Sequence, residues 1–280
     1  MRPDTARSIP STPEATAAQA QSREGSWHHA QSGRTFPKTV PDRYGLGPGV
    51  TRASRLEPYR RKSSDPVYRP LKIFTRDPAA SLLEGSVALV NLPYEPLTPG
   101  PEGELFRVEE DSAKSSVDLN HFSILLSGGL PPSVSDMRFH RQMVYAVCSS
   151  VYASFRAALG RNVAWGFDGA RGAPSKLTIR PHAFKGKNAF YEKQDGTLNF
   201  GYYIGDKRQT IGNNLPGGSF YTCLSHDIVA HEVTHALLDG LRSEFTFPAG
   251  PDVLAFHEAF ADLIALFQRF SYDGVLRSDS

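Results

Sequence analysis

Two histidine side chains four residues apart can share one ligand only if the backbone between them is helical, because four residues make about one α-helical turn. His231 and His235 stand at that spacing in His231-Glu232-Val233-Thr234-His235, so the stretch commits the chain to a helix with a two-imidazole face. Glu232 lies about 100° around the helix from His231. It is thus near whatever the imidazoles hold without completing the same pair, where a general base for an activated water belongs. Zinc suits this pattern. A catalytic zinc needs a third protein ligand and leaves its fourth position open.

A second helical pattern supplies that ligand. From Pro251 onward, Phe256, Phe260, Leu263 or Ile264, Phe267 and Phe270 recur at helical spacing as an apolar stripe, and Pro251 suits a first helical turn. Charges within so apolar a helix are costly unless paired or bound to metal. Glu258 and Asp262, four apart, share a face away from the phenylalanines. Glu258 is the expected third ligand. Asp262, one turn along, is placed to accept the second ring N–H of a liganding histidine, fixing its tautomer. His257 points about 100° away from Glu258 and is read as a surface or supporting residue. The alternative arrangement, with Gly and His three and six residues beyond His235, is excluded because Leu238 and Leu241 stand there.

Together, Val229-Ala230-His231-Glu232-Val233-Thr234-His235-Ala236 and Glu258-Ala259-Phe260-Ala261-Asp262 resemble the thermolysin-like zinc metallopeptidases, gluzincins whose third ligand is glutamate. Upstream, Asn188-Ala189-Phe190-Tyr191 is similar to the family strand that lines the cleft and pairs with the substrate backbone. An extended peptide adds to an exposed strand edge through main-chain hydrogen bonds, so the match is physically sensible. The resemblance covers roughly residues 180–270. It implies an α+β, zincin-like metallopeptidase domain with Zn2+ on His231, His235 and Glu258. It further implies Glu232 as general base, Asn188 and the Ala189 backbone as substrate contacts, and hydrolysis of peptide or protein substrates.

The sequence departs from that family in places that bear on activity. His257 precedes the third ligand where relatives usually carry Asn. Between the two motif helices, where the family places an oxyanion-supporting tyrosine, this chain has only Phe245 and Phe247. A family calcium ligand is replaced by Arg269, which argues against calcium at the double site, although Asp227 matches one of its ligands. Only 22 residues follow Glu258, too few for the family's C-terminal helical domain, so that domain is expected to be missing. Two accounts follow: either the chain is a fragment whose missing C-terminal domain completes the cleft, or it is complete and draws its transition-state donors locally, from Tyr191, Tyr202, Tyr203 or His226. Two other functions therefore stand beside the endopeptidase: a zinc-binding pseudo-enzyme or scaffold, and a zinc aminopeptidase anchoring the substrate amine on Glu192 or Glu244.

Composition sets the wider limits. Residues 1–66 carry eleven Arg or Lys against six acids, with much Pro, Ser, Thr, Ala and Gly and few large apolar side chains. Such a leader cannot bury enough surface to offset its ordering entropy and reads as disordered, with Arg60-Arg61-Lys62 a solvated charge run. Residues 67–222 read as a strand-rich subdomain and 223–280 as the metal-bearing helices. Strands are expected over Leu71–Phe74, Val87–Val90, Glu104–Val108, Leu177–Ile179, Ala189–Tyr191 and Leu198–Tyr202, the last two joined as a hairpin around Asp195-Gly196. Residues 134–159 read as an amphipathic helix stopped by Gly160, with Val144, Val147, Cys148, Val151 and Phe155 inward. Residues 213–218 read as a loop entering the site, and Ser225 as the cap of the His231 helix, with Asp227 in its first turn. Cys148 and Cys223 are too few for a disulfide framework and read as buried thiols. A net charge of +2 calls for no nucleic-acid partner, and no segment is apolar enough to span a membrane. With no secretory h-region at the N-terminus, cytoplasmic residence or export by another route is expected.

Overall fold

Alternate residues of Tyr68–Phe74 point inward, and Leu71, Ile73 and Phe74 are buried, so this stretch is strand β1, half of a ribbon with β2, Val87–Pro93. The two pair antiparallel from Tyr68↔Pro93 to Phe74↔Val87. The computed structural model describes residues 59–79, 86–109, 116–167, 176–205, 217–242 and 250–272. Within them the architecture is α+β, as expected. Most of the expected leader lies outside the described residues. Its last stretch forms a turn in which Asp65 accepts from the Tyr59 hydroxyl at 2.7 Å and the Lys62 N–H at 2.8 Å.

The second sheet is mixed. Its order is β3 (Phe106–Val108), β4 (Leu177–Lys185), β6 (Thr197–Ile204) and β5 (Ala189–Glu192), with β7 (Ser219–Tyr221) also paired to β6. β3, β4 and β6 run parallel, whereas β5 and β7 run antiparallel to β6. The expected hairpin joins β5 to β6, and Gly196 takes φ 63° in its turn, a left-handed conformation that favours glycine. Among the described residues β5 is an edge strand, at the opposite end of the sheet from β3.

Four helices are described. α1, Phe122–Leu126, is a short connector. α2, Met137–Leu159, starts three residues later than expected because Asp136 caps it, accepting from the Arg138 N–H at 2.9 Å. Gly160 ends it at φ 64°. α2 is the central core element: Phe139, Met143, Val144, Val147 and Val151 have no exposed surface. Burying a side chain such as Phe or Met this fully contributes about 1.5–3 kcal/mol. Cys148 and Cys223 are both buried and in no disulfide.

A 3₁₀ turn, Thr222–Leu224, leads into α3, His226–Leu241. The Thr222 hydroxyl donates to the Gly201 carbonyl at 2.9 Å and fastens the turn to β6. Ser225 occupies the cap position, but its hydroxyl makes no capping bond, contrary to expectation. Its carbonyl alone joins the helix, accepting from the Val229 N–H at 3.1 Å.

α4, Pro251–Phe270, begins with proline in its first turn, as read from the sequence. Its apolar stripe does not mark its buried face, however. Phe256, Leu263, Phe267 and Phe270 are each more than two-fifths exposed, and the buried residues are His257, Ala261 and Ala265. The reason is the close approach of α4 to α3. Alanines on the seam let the backbones come near, and bulky side chains there would hold the helices apart. Phe260 and Ile264 are the partial exceptions: both pack half-buried against the core, Phe260 edge-on against Phe155 with ring centres 6.2 Å apart. No helix among the described residues is long and apolar enough to cross a membrane.

Candidate metal centre

The one-turn spacing of His231 and His235 brings their rings edge to face, 4.6 Å between centres, with the two Nε2 atoms 2.9 Å apart. The close α3–α4 seam carries Glu258 to the same point. Its Oε2 lies 3.3 Å from His231 Nε2 and its Oε1 3.7 Å from His235 Nε2. Ligand atoms on a tetrahedral zinc at about 2.0–2.2 Å are roughly 3.3–3.6 Å apart. The three separations bracket that spacing, so this donor set fits a single zinc ion.

Both rings turn Nε2 toward the centre and Nδ1 toward a neighbouring group. His231 Nδ1 is 2.8 Å from Asp262 Oδ1, and a carboxylate can only accept, so Nδ1 carries a hydrogen and Nε2, turned inward, is the nitrogen that gives its lone pair once the proton it shares with Glu258 has left. Asp262 thus stands where the sequence put it. His257 is no surface residue: it is buried and stacked on His235, with the two Nδ1 atoms 2.6 Å apart. With His235 donating from Nδ1, its Nε2 also keeps a lone pair for the centre, and His257 keeps its hydrogen on Nε2. That atom is buried and has no hydrogen-bond partner among the described residues.

The charge balance treats the two imidazoles differently, keeping His235 neutral and favouring a proton on His231 that a bound cation would displace. Burial and the neighbouring His231 charge push His235 well below the usual histidine range, so its imidazole is neutral. Burial opposes charge on His231 as well, but the Glu258 hydrogen bond and the Glu232, Glu258 and Asp262 charges outweigh it and raise its pKa. Glu258 is held below the usual carboxylate range by the His231 hydrogen bond.

Glu232 is 8% exposed, and burial pushes its carboxyl up to about 7 despite a hydrogen bond from the Tyr191 backbone N–H. That bond places it beside β5. The Gly201 N–H donates to the Asn188 carbonyl at 2.9 Å, so strand alternation turns the main chains of Ala189 and Tyr191 away from β6. The Tyr191 N–H is taken by Glu232, which leaves the Ala189 main chain along the strand edge. The Asn188 side chain is exposed.

Other expected residues are occupied elsewhere. The Tyr191 hydroxyl donates to Asp239 Oδ2 at 2.8 Å, and His226 contacts Asp227 at 3.3 Å and the Tyr272 hydroxyl at 3.1 Å. Tyr202 and Tyr203 stack on Tyr221 and Phe220. Arg269 Nη1 sits 3.1 Å from Asp227 Oδ2, so a side-chain cation already meets that carboxylate. Glu192 accepts from the Gln194 N–H at 3.3 Å. Glu244, Phe245, Phe247 and most of the expected loop at 213–218 lie outside the described residues.

Sequence reasoning missed Asp239, a fully buried carboxylate one turn beyond His235 that also accepts from Lys193 Nζ at 2.5 Å. Its signal was available, since an acid inside an apolar helix face needs a partner. Nearby, a Cβ on Gly240 would fall 1.7 Å from the Ala164 carbonyl oxygen, so only glycine lets α3 dock there. Known proteins add no constraint on these roles: no protein-family model matches the chain, and no curated protein does.

Proposed function

We propose that this chain is a zinc-dependent metallopeptidase with a zincin-like domain of the thermolysin-like, glutamate-liganded kind. His231, His235 and Glu258 would hold the ion. When bound, zinc lowers the pKa of a water toward neutrality and polarises the scissile carbonyl. Glu232 takes the proton of the attacking water and passes it to the leaving amine. Its raised pKa suits both steps, and the cation's charge would lower it from the value it has without one. Asp262 and His257 hold the two imidazoles in the liganding tautomer. A peptide substrate lies extended along β5, hydrogen-bonded to the Ala189 main chain and the Asn188 side chain. The observation that carries this reading is the convergence of the three donor atoms beside a buried Glu232 that is tied to the β5 edge.

One observation favours a second reading, a zinc-binding chain without turnover. Tyr191 and His226, two of the local candidates for stabilising the oxyanion, are engaged by Asp239, Asp227 and Tyr272. Such donors are worth about 2.7–4 kcal/mol each.

The test uses the purified chain loaded with zinc, an internally quenched peptide with blocked ends, and the same peptide with an unblocked amine. Cleavage of the blocked peptide, lowered roughly 10²–10⁴-fold in Glu232→Gln with zinc content unchanged, is the expected result. Near-normal turnover by Glu232→Gln would refute the mechanism. Cleavage of the unblocked peptide alone indicates an aminopeptidase, and zinc binding with neither peptide cleaved leaves the second reading.

A further inference from the structure

Three side chains from distant parts of the chain meet at the other end of the short connection into α3. His140 comes from α2, His182 from β4 and Cys223 from the 3₁₀ turn. His140 Nδ1 lies 2.8 Å from His182 Nε2, and Cys223 Sγ lies 3.8 Å from the first and 3.9 Å from the second. The sulfur is thus almost equidistant from the two nitrogens, as sharing one ion requires. A tetrahedral zinc with Zn–S of about 2.3 Å and Zn–N of about 2.0–2.1 Å would separate the nitrogens by roughly 3.3 Å and sulfur from nitrogen by roughly 3.6 Å. Each observed separation is within about half an ångström of that.

The surroundings are those of a built site. His140 Nε2 lies 2.9 Å from the Val134 carbonyl, which can only accept, so the hydrogen sits on Nε2 and Nδ1 turns its lone pair toward the sulfur. His140 and Cys223 have no exposed surface worth the name, at 0% each. The Tyr221 ring packs edge-on against both imidazoles, 4.7 Å from His140 and 5.3 Å from His182. β4 loses register with β6 between Arg180 and Phe184, where Pro181 has no N–H to give, and His182 sits within that irregular stretch.

We infer that His140, His182 and Cys223 form a second metal site that takes a thiolate-binding divalent transition ion, zinc by preference, and pins α2, β4 and the root of α3 together. One thiolate and two imidazoles are a borderline-soft donor set, which selects zinc over the oxygen-loving cations. Binding releases one proton, from Cys223 Sγ, while His182 shifts its own hydrogen from Nε2 to Nδ1. Three protein ligands leave the fourth position to water. The inference does not depend on peptidase activity.

Cobalt(II) tests it, because only a sulfur-liganded cobalt gives a strong near-ultraviolet thiolate charge-transfer band. The centre on α3 and α4 offers no sulfur, and Cys148 and Cys223 are the only two cysteines in the chain. Cys148 is buried within α2, where burial pushes its thiol far up. Titrating the metal-stripped chain with cobalt should raise the band to saturation by about two equivalents, one for each centre, and by about one equivalent in Glu258→Ala. The band should persist in Glu258→Ala and Cys148→Ser and vanish in Cys223→Ser. Absence of the band in the wild-type chain at excess cobalt would overturn the site, as would its survival in Cys223→Ser. If Cys223→Ser fails to fold, Cys148→Ser decides: a retained band leaves Cys223 as the sulfur, and a lost band overturns the assignment.

Discussion

The two groups of ligand-capable side chains are assembled in opposite ways. His231, His235 and Glu258 sit on two neighbouring helices, with the Glu258 side chain 52% exposed. His140, His182 and Cys223 come from a helix, a bulged strand and a 3₁₀ turn, and two of the three are fully buried. One group is hard-edged and open, with a carboxylate and a nearby acid. The other is soft and enclosed, with a thiol and aromatic walls. A reaction needs room for substrate, whereas a staple needs none, so exposure and donor type together divide the proposed roles.

The largest effect that could break this division is loss of one group with the other untouched. Glu258→Ala should remove one full equivalent of zinc from the dialysed chain, read by metal analysis, while the cobalt–thiolate band is unchanged. Simultaneous loss of both would mean the two groups form one cooperative unit and not separate sites. Next in size, Asp262→Ala should weaken zinc at the helical centre by about 10–100-fold, measured by competition with a chromophoric chelator. An unchanged affinity would show that His231 needs no help to keep its tautomer. Smaller still, Ala261→Leu should cost about 1–3 kcal/mol in urea unfolding and weaken zinc binding by parting α3 from α4. Stability lost without loss of zinc affinity would show that Glu258 can follow its helix outward.

What was legible in the sequence follows the same division. The His231–His235 spacing, Glu258 with Asp262, the β5–β6 turn at Gly196 and the end of α2 at Gly160 are written within a turn or two of backbone. Each could therefore be read from local periodicity. The α4 packing face could not, because hydrophobicity ranks phenylalanine above alanine, whereas the helix approach that brings Glu258 to the histidines rewards the smaller side chain. Ser225 was misread because cap preference describes side-chain type and not the direction the hydroxyl takes. His140, His182 and Cys223 share no spacing at all. They are separated by about forty residues each and joined only by the packing of α2 on the sheet, and the histidine–sulfur pairing has no signature before folding.

The contact between Arg269 and Asp227 has a consequence for how the helix pair behaves when metal is withdrawn. It joins the last turn of α4 to the first turn of α3, and its cation is part of the chain. A chelator could extract a zinc ion held at the proposed centre, but it cannot extract a guanidinium. The bond is partly solvated and contributes at most about 1 kcal/mol, so it is no strong clasp. What it would preserve is alignment: a chain without the proposed ion would keep the two helices in step at that end, and taking the ion up would be a local closure and not a fresh search for register.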